Sequence, residues 1–294
     1  MNTFLRLRIS GVVWLASAAM AAIASGAEVT EVHCEFIDNV IYLPVKINGA
    51  GPFFMTLDTG TNPSAIDRAK AKELGLKIDD SELRGKGFGD NAAVTQRTLI
   101  ERLDVTGVAA THVEFDALDL SAAAAHSAKP IIGLLGYSFL RGRSFEIDYP
   151  HKKLRFYEKS APHAGTALPM VLDANVPTIE IAVNGKKLRA VIDTGGSYKL
   201  LLTPEGAKKL GLEKEMESAK PVGGGGYAGA QEVRLGAVPK LEVGAFSFDR
   251  METVFTSFGK ESPFKIAQAG LGIFFLEDYT IALDYRNKTI TLRK

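Results

Sequence analysis

The sequence predicts a mainly β protein built as two tandem copies of one lobe, and three observations carry that expectation. The chain resembles itself at an offset of 136 residues. Each half opens with apolar, β-branched runs of strand length that end in Asn-Gly. Each half also carries one Asp-Thr-Gly triplet directly after such a run.

The self-similarity keeps one order along both halves. Asn39-Val40 matches Asn175-Val176, Asn48-Gly49 matches Asn184-Gly185, and Leu74-Gly75-Leu76 matches Leu210-Gly211-Leu212. Gly136 matches Gly272, Phe139-Leu140 matches Phe275-Leu276, and Asp148-Tyr149 matches Asp284-Tyr285. The triplets Asp58-Thr59-Gly60 and Asp193-Thr194-Gly195 match at 135, because the second copy is one residue shorter in a loop.

The elements follow in order. Val40 to Ile47 and Val176 to Val183 alternate as strands, and the Asn-Gly after each is a hairpin turn. The return strands, Pro52 to Leu57 and Leu188 to Ile192, run straight into the triplets. A short helix comes next in each half. The first spans about Asp67 to Leu74; the second has Thr203 as N-cap, Pro204 at its first position, Glu205 in its first turn and Gly211 at its end. Each half then has a glycine-rich segment, 85–90 and 223–229, β-rich stretches, and an apolar run with glycines, Ile131 to Gly136 and Ala269 to Ile273. Each closes with a hairpin, Ser144 to Phe156 and Tyr279 to Leu292. The division expected is 28–159 for the first lobe, 160–174 for a linker and 175–294 for the second lobe.

Residues 1–27 are expected to be a secretory signal peptide cut after Ala27. Arg6 and Arg8 give a positive start, the core from Gly11 to Ile23 is too short to span a bilayer comfortably, and Ser25-Gly26-Ala27 supplies small residues at the cut. The competing possibility is an uncleaved anchor helix. Cleavage would remove the only tryptophan, Trp14, and leave a chain expected in the periplasm or secreted, with no further membrane span. Cys34 is alone, so no internal disulfide is possible, and the polar Thr30-Glu31-Val32-His33 before it is unlike a lipoprotein signal. Lys and Arg (35) nearly balance Asp and Glu (34), so no basic field draws the chain to nucleic acid.

One Asp-Thr-Gly is an ordinary turn; two at equivalent places of a repeat imply chemistry. If the lobes pack about a pseudo-twofold, Asp58 and Asp193 meet at the axis. Two close carboxylates cannot both ionise cheaply, so the pair shares one proton. The charged member then takes a proton from a water between them, while the protonated member polarises a carbonyl and later protonates the leaving amine. Glycine after threonine lets backbone approach the carboxylates closely.

On Leu57-Asp-Thr-Gly60, Ile192-Asp-Thr-Gly195, the later Ile131-Ile-Gly133 and the two glycine segments, the chain resembles the pepsin/retropepsin superfamily of aspartic peptidases. The likeness is nearest to bacterial exported proteins with two retropepsin-like lobes in one chain, and it covers roughly residues 36 to 293. It implies a bilobal acid-protease fold of double-psi-type β-barrels and aspartic endopeptidase activity. It also implies Asp58 and Asp193 as the catalytic dyad, Thr59 and Thr194 as an interlobe grip, and Gly60, Gly195 and Thr61 as support. Gly87, Phe88 and Gly89 in the first half, with Gly225, Gly226 and Tyr227 in the second, are implied as flaps over an extended peptide or protein substrate. One chain supplies both lobes, so a monomer suffices.

Two departures stand out. Ala269-Gly-Leu-Gly lacks the bulky apolar pair before glycine, and Gly196 stands where the superfamily usually has a hydroxyl residue. A hydroxyl there favours the charged form of the neighbouring carboxylate, so Asp58, next to Thr61, is expected to be mainly the base and Asp193 to hold the shared proton. A Gly196→Ser change is then expected to lower the upper limb of the pH–rate profile. The alternative function is a peptide-binding or envelope interaction protein that keeps the fold with little turnover.

Other chemistries find no support. The histidines at 33, 112, 126, 151 and 163 have no ligand spacing, so neither a metal nor another cofactor is expected. Gly224 to Gly229 formally fits G-x-G-x-x-G but precedes no strand–turn–helix unit. Ser138 lacks the second glycine of a nucleophile elbow, and nothing supports the wider carboxylate spacing of a glycosidase.

Overall fold

The computed structural model describes residues 29–85, 93–160, 165–226, 229–258 and 263–294. The segment expected to be a signal peptide, the flap residues Gly87, Phe88, Gly89 and Tyr227, and residues 161–164 of the join lie outside the described residues.

Each half forms its own eight-stranded sheet, and the two sheets share one strand order. In the first lobe, Val40–Ile47 pairs antiparallel with Ala50–Leu57, turning through Asn48 and Gly49 with φ of 49° and 89°. Asn184 and Gly185 do the same in the second lobe, with φ of 48° and 75°, between Val176–Val183 and Lys186–Ile192. Both positive values are what a two-residue hairpin of this hand requires. The return strand of each lobe lies parallel to a later glycine-containing strand: Leu57 pairs with Leu135, and Ile192 with Leu271.

The helices fall where capping chemistry places them. Asp67 accepts from the Lys70 N–H at the start of Arg68–Glu73, and Thr203 accepts from Gly206 N–H at the start of Pro204–Leu210. Gly211 ends the second helix in the left-handed conformation with φ of 74°. A further helix, Glu213–Ser218, has no counterpart in the first lobe.

The two closing hairpins are not separate endings. They join edge to edge in a six-stranded sheet, Ser144–Asp148 running antiparallel to Thr280–Asp284. In this register Ser144 faces Asp284, Asp148 faces Thr280, and Glu146 faces Ala282. The repeat offset maps Glu146 onto Ala282, so a local twofold passes between those two residues. Val29–Val32 adds to one edge of this sheet and Thr166–Pro169 to the other, so part of the stretch expected as a linker is a strand. Glu146 is buried, with Arg155 Nη1 at 2.8 Å and Arg293 of the other lobe at 3.1 Å. Phe139, Phe156, Phe145 and Tyr285 make a chain of ring contacts, edge-on, tilted and stacked in turn, within a core that continues from one lobe to the other.

Among the described residues, no helix is long and apolar enough to cross a membrane.

Candidate active site

The triplets sit at the ends of the two return strands, and backbone bonds fix their entry. Asp58 N–H donates to Leu135 O at 3.0 Å, and Asp193 N–H donates to Leu271 O at 3.0 Å. The threonines then turn away from solvent, across the seam between the lobes. Thr59 Oγ1 donates to Ile192 O at 2.6 Å and accepts from Thr194 N–H at 3.0 Å. Thr194 Oγ1 donates to Leu57 O at 2.9 Å and accepts from Thr59 N–H at 3.0 Å. Both threonines are buried, so these four bonds are shielded from competing water.

This crossing brings the carboxyls together. A Cβ on Gly60 would lie 2.7 Å from Asp193 Oδ1, and one on Gly195 would lie 2.6 Å from the Asp58 carboxyl carbon. Each glycine therefore fits only because it has no side chain, and each presses against the other lobe's aspartate. Gly60 N–H donates to Asp58 Oδ1 at 2.8 Å, and Gly195 N–H to Asp193 Oδ1 at 3.0 Å.

The outer oxygens also have partners. Thr61 Oγ1 donates to Asp58 Oδ2 at 2.6 Å, as its position after the triplet led one to expect. Asp193 differs from expectation: Tyr198 Oη donates to its Oδ2, also at 2.6 Å. The absence of a hydroxyl at Gly196 therefore does not leave Asp193 without one, and the basis for making Asp58 the base falls away. Nor does Gly196→Ser fit beside this tyrosine, since a Cβ at 196 would lie 2.5 Å from Asp193 Oδ2 and overlap the Tyr198 ring. Tyr198 is the residue that sequence reasoning missed. Its signal was the pairing of Gly196 with Gly270, two small residues where the first lobe has Thr61 and Leu134.

Burial raises both carboxyls above the ordinary carboxylate range. For Asp58, burial is the larger cause and the neighbouring Asp193 charge the second, while its bonds from Thr61 and Gly60 act in the opposite sense. Two such groups resist ionising together, and their titration belongs to the pair.

The pair lies in a cleft of about 740 Å³ between the lobes. Leu83 and Thr95 line it from the first lobe's hairpin arm, and Val222, Gly223, Gly224 and Gly225 from the second's. Of the residues expected to cover substrate, Gly225 is thus on the cleft wall, and Gly226 pairs with Gly229 near the end of the same arm. Arg97 and Asp116, cross-strand neighbours 3.3 Å apart, form a charged stretch of the wall. Among the described residues, no group of three His, Cys, Asp or Glu is placed to hold a metal ion.

Two β lobes joined by a shared sheet, each presenting one aspartate to the other, define a protein of the acid-protease class. The chain belongs to the aspartyl protease family: the model of that family matches it twice, over residues 43–139 and 179–270, once in each lobe. No curated protein matches the sequence.

Proposed function

We propose that the chain is an aspartic endopeptidase acting outside the cytoplasm, with Asp58 and Asp193 as the catalytic pair. The observation that carries this is the mutual packing of the two triplets. Gly60 abuts Asp193, Gly195 abuts Asp58, and each carboxyl receives one N–H and one O–H. The cleft is of a size that takes several residues of an extended chain.

The proposed reaction needs no covalent intermediate. With one proton on the pair, the ionised carboxylate removes a proton from a water held between the two, and the water oxygen adds to the peptide carbonyl carbon. The protonated carboxyl gives its proton to the carbonyl oxygen, forming a neutral tetrahedral diol. The carboxyl that took the water's proton then gives it to the nitrogen while the other carboxylate takes a proton from a diol hydroxyl, so the C–N bond breaks, the amine and the carboxylic acid leave, and the pair again holds one proton. The N–H groups of Gly60 and Gly195 are already aimed at the carboxylates, so little reorganisation accompanies the movement of charge.

The test is hydrolysis of a mixed peptide library between about pH 3 and 7 by the wild type, Asp58→Asn and Asp193→Asn. The expected outcome is cleavage by the wild type and a loss of at least a thousandfold in each variant, as the chemistry requires both groups. Cleavage that survives both substitutions excludes the pair as the catalyst. A wild type that binds peptides without cutting them assigns the cleft to peptide binding instead.

A further inference from the structure

We propose that Tyr198 is the positioning residue of the second lobe, its hydroxyl taking over at Asp193 the task that Thr61 performs at Asp58, with Gly196 and Gly270 kept small to seat its ring. This rests on the dyad reading above and goes beyond it, because it gives the two aspartates unlike supports.

The two lobes solve one problem in different ways. In the first, the residue three places after the aspartate is Thr61, whose hydroxyl reaches Asp58 Oδ2 directly. The neighbouring strand presents Leu134 opposite Thr56, and it lines the cleft as Thr61 does. In the second, the position equivalent to Thr61 is Gly196, and the position equivalent to Leu134, opposite Val191, is Gly270. A side chain at either place would collide with the tyrosine: a Cβ on Gly270 would stand 2.6 Å from Tyr198 Oη, and one on Gly196 would overlap the ring.

Tyr198 fills both vacated volumes from two residues further along, where the first lobe has Pro63. Its N–H donates to Gly196 O at 3.0 Å, which folds the chain back so that the ring lies over residue 196. The three departures of the second lobe, at 196, 198 and 270, thus form one exchange. Neither glycine is explained alone, since the first lobe accepts a side chain at both equivalent positions.

The chemistry follows from what the hydroxyl faces. Tyr198 is half-buried, and burial together with the nearby charges of Asp193 and Asp58 keeps its phenol protonated, so it can only donate to the carboxylate. Two further buried phenols feel charges of the pair, Tyr149 that of Asp193 and Tyr285, after Tyr137, that of Asp58; burial keeps both neutral, and neither hydroxyl has a hydrogen-bond partner. Arg97 and Asp116 lie on the same cleft wall and pair with each other. Among the described residues, Tyr198 is therefore the one side-chain donor to Asp193. A bond to a charged acceptor favours the ionised form, so its removal moves the carboxyl upward, by about one pH unit.

The test uses the full chain and two readouts. First, the Asp193 carboxyl carbon is followed by NMR titration in aspartate-labelled Asp58→Asn protein and is assigned by its loss in Asp193→Asn. Adding Tyr198→Phe, which keeps the ring and its packing, is expected to raise its midpoint by about one pH unit. This readout does not require turnover, so it separates the role of Tyr198 from the peptidase reading. Second, in the wild-type background, Tyr198→Phe and Tyr198→Ala are expected to move the limb of the kcat/KM profile that Asp193 sets to higher pH. In the double variant Gly196→Ser/Tyr198→Ala the ring is gone and the Asp193 carboxyl, released from it, can turn away from the new Cβ, so the serine, placed where the first lobe has Thr61, is expected to bring that limb back. An unmoved Asp193 midpoint in Tyr198→Phe overturns the proposal. So does a folded double variant whose limb stays where Tyr198→Ala put it.

Discussion

The seam between the lobes offers a direct test of how the site is held. Thr59→Val keeps the volume of the side chain but removes its hydroxyl, which leaves the Ile192 carbonyl and the Thr194 N–H without partners in a buried place. A buried polar group left unpaired costs about 1–3 kcal/mol, so two cost about 2–6 kcal/mol. Thr194→Val strands a different pair, Leu57 O and Thr59 N–H, and is expected to cost a similar amount. Against a usual total of about 5–15 kcal/mol, either loss is large. The double variant is expected to lose less than the sum, because the first cut admits water that solvates the groups stranded by the second. Equilibrium urea unfolding followed by circular dichroism measures all three, with unchanged m-values as the check that only stability has moved. If both single variants lose less than about 1 kcal/mol, the crossed bonds do not hold the seam and the reasoning fails.

Three further outcomes are expected. Asp173 accepts the backbone N–H groups of Lys265, Ile266 and Ala267 at 2.8–3.0 Å, so Asp173→Ala strands three donors at the edge of the cleft. The one fully buried donor, Ala267 N–H, sets an expected loss of at least about 1–3 kcal/mol in urea unfolding, and one below about 1 kcal/mol refutes it. Gly195→Ala pushes a Cβ against the Asp58 carboxyl and is expected to lower kcat by about a hundredfold, since small misplacement of reacting groups is costly; kcat within threefold of wild type refutes it. Finally, the raised carboxyls of the pair make the folded state bind more protons than the unfolded state between the ordinary aspartate value of 3.8 and about pH 7. Their contribution to stability is therefore full at low pH and lost as pH rises through the folded-state values. The fall in urea midpoint over that range is expected to be shallower in Asp58→Asn than in wild type, and equal slopes refute it.

Much of this was legible because a repeat converts weak local signals into strong ones. The Asn-Gly turns, the Thr203 cap and the triplets are each ordinary, yet their equivalent placement about 136 residues apart fixed the two-lobe plan. The shared sheet was not legible. Ser144 to Phe156 and Tyr279 to Leu292 each read as a complete hairpin, and a hairpin pattern does not say whether its outer edge meets water or another hairpin. Tyr198 was hidden for a related reason. The repeat points to a hydroxyl at the one position where the first lobe has it, whereas the fold delivers an equivalent hydroxyl from two residues on, through space opened in another strand by Gly270. The same comparison of the halves that found the repeat contained the clue, in the places where the halves disagree.

One such disagreement lies on the twofold itself. Glu146 faces Ala282 across the shared sheet, buried and held by Arg155 and by Arg293 of the opposite lobe. A pair of first lobes meeting in this register would set Glu146 against Glu146, two like charges in a buried cross-strand pair, which is destabilising. A pair of second lobes would set alanine against alanine and leave Arg293 without its carboxylate. The halves have thus become lock and key to each other and strangers to their own kind. Expressed as separate chains, they are expected to assemble as a mixed pair, so the polypeptide link now sets the stoichiometry of a union that the sheet already specifies.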